Sequence, residues 1–179
     1  MIIETQRLRL REYTQSDFDG LFAILSDPVT MQHYPKPYDA AGTQRWLDWS
    51  FQNYRTYGFG LWAIELKETG EFIGDCGITM QPIDGQQLPE IGYHIHKNHW
   101  RRGYAKEAAS AVRDWAFANR DFNALYSYMK YTNTASYCSL FQRALSLCSP
   151  WNFIMTEHWS CSPPKKISIP FWFSSGKRI

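Results

Sequence analysis

Two side chains able to handle protons, Glu90 and His94, stand four residues apart in the run Glu-Ile-Gly-Tyr-His-Ile. A basic turn, Trp100-Arg101-Arg102-Gly103, follows six residues later. A carboxylate such as Glu90 accepts the proton of an ammonium group directly or through water. Histidine titrates near pH 6.5, which makes His94 a second candidate base. The plainer readings are a solvated glutamate at a strand end and an exposed histidine. The turn suits anions: it opens straight into a helix whose first amides have no intrahelical acceptor and carry the positive end of the dipole. Gly103 lets a ligand approach the backbone, and Arg101 and Arg102 add fixed charge. A phosphate or pyrophosphate would be held there mainly by main-chain N–H groups. The chain has no GxxxxGK[ST], and a lone Gly103 falls short of GxGxxG, so neither nucleotide fingerprint is present.

The elements that must position these groups are legible around them. Ile91, Tyr93 and Ile95 alternate with Glu90, Gly92 and His94, as on the two faces of a strand. From Tyr104 the spacing turns helical, with Ala105, Ala108, Ala109, Val112, Trp115 and Ala116 in one stripe through 118. Upstream, Arg7-Leu8-Arg9-Leu10-Arg11 reads as a strand with a solvated cationic face, which would also suit RNA. Ser16, with Asp19 in the capping-box position, opens a helix through Phe18, Leu21, Phe22 and Leu25 that ends at Asp27-Pro28. Pro35 and Pro37 force an extended link, after which Asp39 caps an aromatic helix stopped by Gly58. Residues 61–66 and 72–80 form a hairpin, Gly74 and Gly77 mark bulges or close approaches, and Asp84-Gly85 turns the chain into the Glu90 strand. Leu125 to Met129 is a further strand.

Trp-x-x-Gly-Tyr-Ala-x-Glu-Ala after a Glu-Ile-Gly-Tyr strand, with the opening Thr5-Gln6-Arg7-Leu8-Arg9-Leu10-Arg11, resembles the GNAT superfamily of N-acetyltransferases. Within it the pattern looks most like the ribosomal-protein-alanine (RimJ/RimL-type) branch, in which Trp100 replaces the usual first residue of the loop. The resemblance implies an α/β fold, a GNAT-like mixed and mostly antiparallel central sheet with helices on both faces. It implies that Arg101, Arg102, Gly103, Tyr104, Ala105 and Lys106 hold the coenzyme A pyrophosphate. It also implies that the backbone near Tyr93, His94 and Ile95 pairs with the pantetheine arm like an added strand. Asn133-Thr134-Ala135-Ser136 matches the family's Asn-x-x-Ser segment. By that likeness Asn133 hydrogen-bonds the pantetheine arm and Ser136 donates a proton to the leaving thiolate. A plain helix cap at Ser136, or Tyr137 as the donor, are the alternatives.

At 179 residues the chain is most simply one domain, with resemblance over 1–137 and an atypical segment from 138 to 179. Beyond Asp121 the only acidic residue is Glu157, and Cys, Ser and Trp become frequent; a divergent terminus or a frame-shifted reading would each give this. Segments 152–158 and 166–173 retain strand patterns. The net charge of +2 gives no argument for nucleic acid as an obligate partner. Four cysteines without CxxC or zinc-like spacing read as reduced thiols, and no metal is expected. No signal peptide and no run near the ~20 residues of a membrane span are seen, which gives a cytoplasmic expectation with no membrane partner. The expected activity is direct acetyl transfer from acetyl-CoA, as co-substrate, to a primary amine on a protein N-terminus or a small molecule, with Glu90 and Ser136 as the reacting side chains. A homodimer is left open. The rival readings are a catalytically silent acyl-CoA-binding module and an RNA-binding domain.

Overall fold

The computed structural model describes residues 1–83, 85–130, 133 and 151–156. Their strands form one sheet in chain order: β1 (Ile3–Glu4), β2 (Leu8–Arg11), β3 (Leu61–Leu66), β4 (Phe72–Ile83), β5 (Gln86–Ile95), β6 (Leu125–Lys130) and β7 (Trp151–Thr156). The first four pairings are antiparallel, and β5–β6 and β6–β7 are parallel. Among the described residues three helices flank it: α1 (Phe18–Leu25), α2 (Ala40–Tyr57) and α3 (Tyr104–Asn119). This is the expected mixed, mostly antiparallel sheet with helices on both faces.

The sequence periodicities fix which face each helix covers. The small residues Ala108, Ala109, Val112 and Ala116 of α3 lie buried with Trp62, Ile64, Ile78, Ile91, Ile95 and Leu125 of the sheet. Small side chains let the helix sit close, and Trp62 fills the remaining space edge-on to Trp115, with ring centroids 4.8 Å apart. On the opposite face, Leu21, Ile24 and Leu25 of α1 and Leu47 of α2 pack with Leu61 and Ala63. Strand alternation therefore sends Ile91 and Ile95 toward α3, and Glu90, Gly92 and His94 toward α1 and α2.

α2 is bounded as the sequence predicts: Asp39 accepts from the Gly42 N–H at 2.6 Å, and Gly58 closes it at φ 71°. The start of α1 differs. Thr14, not Ser16, is the cap, and Asp17, not Asp19, closes the box ahead of a 3-10 turn at Gln15–Asp17. The two candidate pairs have the same spacing; the deciding contact is Arg11, whose guanidinium grips both Asp17 carboxylate oxygens at 2.7 Å. Gly74 and Gly77 are close approaches, since a Cβ would meet His94 O and Gly60 O, respectively, at 2.0 Å. Pairing of β5 begins at Gln86, after a turn in which Gly85 has φ 78°. Asp84 and segment 166–173 lie outside the described residues. No helix of the described residues is long and apolar enough to cross a membrane.

Candidate active site

Between β5 and α3 the chain makes a 3-10 turn at Lys97–His99 and then two left-handed residues, Arg101 at φ 61° and Gly103 at φ 80°. Glycine takes that conformation without cost; arginine does not. Gly103 is the N-cap of α3 and has no side chain to cap it, and the first intrahelical bond runs from the Glu107 N–H to Gly103 O at 3.0 Å. The amides of Tyr104, Ala105 and Lys106 precede that bond. Arg101, Arg102 and Gly103 are exposed, and Tyr104, Ala105 and Lys106 are half-buried, so nothing among the described residues seals the turn from solvent. Trp100 anchors its first residue by donating Nε1–H to Ile95 O at 2.7 Å.

A brace from the other end of the sequence holds the turn in place. Arg7 donates to Arg102 O at 2.9 Å and to Glu107 Oε2 at 2.7 Å, with its guanidinium 4.5 Å from the Tyr104 ring centroid. Glu107 also accepts from Thr5 Oγ1 at 2.6 Å and from the Arg7 N–H at 2.8 Å. Partial burial pushes the Glu107 carboxyl up, but these donors outweigh it and hold its pKa below the ordinary value. The solvated cationic face expected for β2 is thus charge-paired: Arg7 with Glu107, Arg9 with Glu4 at 3.6 Å, and Arg11 with Asp17 and Glu65.

β5 runs against β4 over its whole length, yet it meets β6 at a single rung, Glu90 opposite Tyr126. Past that rung the two strands diverge. The His96 N–H donates to Ile73 O at 2.9 Å, on the β4 side. Alternation therefore aims the backbone groups of Tyr93 and Ile95 the other way, into the wedge between β5 and β6. The wedge leads toward the start of α3. Asn133 is half-buried three residues past β6, whereas Ser136 and Tyr137 lie outside the described residues.

The face of β5 turned to α1 and α2 carries a chain of short hydrogen bonds. The Tyr34 hydroxyl is 2.6 Å from His94 Nε2, and His94 Nδ1 is 2.8 Å from Asp75 Oδ1. Asp75 also accepts from the His94 N–H at 2.9 Å and, through Oδ2, from the Tyr13 hydroxyl at 2.8 Å. Asp75 is fully buried and His94 is 8% exposed, so of the two readings of His94 the plainer one, an exposed side chain, does not hold. A carboxylate can only accept, which puts the proton on Nδ1 and leaves Nε2 of the neutral ring to accept from Tyr34. Burial pushes the imidazolium down, but the charge and hydrogen bond of Asp75, aided by the Glu90 charge, outweigh it and raise the His94 pKa above 6.5. Burial, then the charges of Asp75 and Glu90, raise the Tyr34 phenol. Half-buried Glu90 thus shares one field with both. Trp46 closes the group, its ring centroid 5.4 Å from that of His94.

Among the described residues the surface between Glu90 and His94 is hollow: a Cβ on Gly92 would touch only Leu61 Cδ2, at 4.0 Å. The structure therefore places Glu90 and His94 on one face of β5, while the wedge-facing backbone of Tyr93 and Ile95 runs toward the turn 101–106 that follows the strand. Asp75, Tyr34, Arg7 and Glu107 escaped the sequence reading. Asp75 had a signal: an acid amid Ile73, Cys76 and Ile78 must find a buried partner.

A protein-family model described as "Acetyltransferase (GNAT) domain" matches residues 7–140. YkkB of Bacillus subtilis (strain 168), an uncharacterised protein, is 41% identical over 133 residues, covering 74% of this chain and 77% of its own length. The crystal structure of an acetyltransferase from Agrobacterium tumefaciens str. C58 superposes with a TM-score of 0.69 at 34% identity, over 76% of this chain and 78% of that one. RimL, a ribosomal L7/L12 alpha-N-protein acetyltransferase solved in complex with coenzyme A, superposes with a TM-score of 0.63 at 17% identity, over 77% and 79%. At that identity the likeness is one of fold.

Proposed function

The chain belongs to the GNAT acetyltransferase family, and from that premise we propose that it moves an acetyl group from acetyl-CoA to a primary amine in one direct step. The observation that carries this reading is the β5–β6 wedge opening onto the uncapped start of α3. A flexible arm laid along β5 finds backbone donors and acceptors at Tyr93 and Ile95, and a diphosphate at its end reaches the amides of residues 104–106. Arg101, Arg102 and Lys106 supply local positive charge there that the chain's net charge of +2 does not.

In this reading a β5 amide polarises the thioester carbonyl as it becomes tetrahedral, a term often worth several kcal/mol. Glu90, beside the hollow over Gly92, serves as base or anchor for the ammonium form of the acceptor. Asn133 contacts the pantetheine arm and Ser136 protonates the departing thiolate, assignments that rest on their motif. The hollow suits a primary amine, and the RimL-like alternative is an amine at a protein N-terminus. The pairing of the β2 arginines argues against an RNA surface on that strand.

Calorimetry with coenzyme A, followed by thiol release from acetyl-CoA across small amines and N-terminal peptides, tests the proposal. Binding with turnover on one amine class is the expected result. Binding with no turnover on any amine identifies a silent acyl-CoA-binding module, and no binding rejects the site.

A further inference from the structure

Tyr34, His94, Asp75 and Tyr13 form an unbroken line of hydrogen bonds, each between 2.6 and 2.8 Å, from the half-buried Tyr34 through the fully buried Asp75 carboxylate to the buried Tyr13. Its members come from four places in the chain: the segment before α1, the link between α1 and α2, β4 and β5. Burying a carboxylate and an imidazole costs several kcal/mol per ion before pairing, and an apolar pair would fill the same space without that cost. The line also has a direction. Asp75 accepts from three donors and fixes the proton on Nδ1, leaving His94 Nε2 to accept from the side of Tyr34.

We propose that the acceptor amine is deprotonated through Tyr34: the ammonium proton passes to the Tyr34 oxygen as the hydroxyl proton passes to His94 Nε2. This rests on the acetyltransferase reading and divides its acid–base work. One ammonium N–H bond and the Tyr34 O–H bond break, and a new Tyr34 O–H and an Nε2–H form. The amine is left with the lone pair that attacks the thioester, tyrosine returns to a neutral phenol, and histidine ends as an imidazolium paired with Asp75. No free phenolate is needed, which agrees with a Tyr34 phenol that burial holds far from ionisation. Glu90 is left as the anchor that draws the cation to the hydroxyl. Tyr34 is the catalytic residue; His94 and Asp75 are positioning residues that act through it.

Among the described residues, the titratable and charged groups that act on His94 are Asp75 from β4, with Tyr13 behind it, Glu90 from its own strand, and Tyr34 from the α1–α2 link, with Tyr38 acting on Tyr34. α2 contributes only the Trp46 ring at the contact. Asp75 and Glu90 both favour the charged ring, so kcat/KM should rise with pH through an inflection above 6.5.

The test takes the full chain and profiles kcat/KM from about pH 5 to 9 for Tyr34→Phe, His94→Gln and Asp75→Asn. Tyr34→Phe removes one oxygen and should lower kcat/KM about a hundredfold while coenzyme A affinity and melting temperature hold. Asp75→Asn should move the inflection to lower pH, and His94→Gln should erase it. Tyr34→Phe within about threefold of wild type, or an inflection that survives His94→Gln, overturns the relay. Should a core variant not fold, imidazole 15N titration of the ligand-free wild-type and Tyr34→Phe proteins still decides. A neutral His94 carrying its proton on Nδ1, with a pKa that moves in Tyr34→Phe, is expected; a proton on Nε2 overturns the relay even if the enzyme turns over. The two readings fail separately: a protein with the expected tautomer that binds coenzyme A but acetylates no amine overturns the transferase reading, and the relay's role with it.

Discussion

Arg101 holds φ 61° on the exposed turn that precedes α3, a conformation that costs a residue with a Cβ about 1–2 kcal/mol. Replacing it by Ala removes the guanidinium and keeps the Cβ; replacing it by Gly removes both. Glycine's extra freedom in the unfolded chain offsets about 0.5–1 kcal/mol of the relief. The Gly variant should then exceed the Ala variant by about 0.5–1 kcal/mol. In a chain of this length that is a difference of about 2 °C in melting temperature. The guanidinium is solvated, so its proposed contact with a diphosphate is worth about 1 kcal/mol, or about fivefold in affinity. Thermal unfolding by circular dichroism reads the first quantity, and calorimetry with coenzyme A at low and high salt reads the second. Both variants should bind about fivefold more weakly than wild type at low salt and approach it at high salt, as screening removes what Arg101 contributes. Equal melting temperatures for the Ala and Gly variants would refute the strained turn. Wild-type affinity in both would remove Arg101 from the diphosphate site.

Gly103→Glu should abolish coenzyme A binding, because it sets negative charge and a Cβ at φ 80° beside the α3 amides; calorimetry of the folded variant showing unchanged affinity rejects the assignment. Gly92→Val suits a strand and fills the hollow beside Leu61, so the melting temperature should hold while KM for the amine rises about tenfold; an unchanged KM places the acceptor elsewhere. Glu107→Gln should cost about 2 kcal/mol by weakening three hydrogen bonds to one carboxylate, measured by urea unfolding. Because the folded pKa of Glu107 is depressed, its contribution is present above its unfolded value of 4.5 and is lost as pH falls through the folded one. The variant should therefore lose less stability than wild type over that acid range; parallel curves refute the linkage.

What could be read beforehand was what neighbours in sequence decide. Asp39 and Gly58 bracket α2 because a cap acts on the next few amides, and the strand–turn–helix from Glu90 to Ala108 shows in its changing period. Thr14 and Ser16 offered equal local chemistry, and only Arg11, arriving from β2, chose between them. The site's supports were hidden for the same reason. His94 meets Asp75 across 19 residues and Tyr34 across 60, and the Arg7 N–H reaches Glu107 across 100. No local period records such pairs. Where a chain has a carboxylate inside an apolar strand, as at Asp75, the cost of hiding it is the clue that a distant partner exists.

Among the described residues, the single rung between β5 and β6 leaves the sheet parted from within, with two inward-looking borders and no described strand between them. Such borders are adhesive: they template pairing with any extended peptide, including another copy of the chain. A bound pantetheine arm would occupy one of them as a surrogate strand, so the resting protein would be more prone to clump than the charged one. Preparations kept with coenzyme A should stay clear at concentrations where stripped ones turn turbid, which makes the co-substrate a guardian of the fold as well as a reactant.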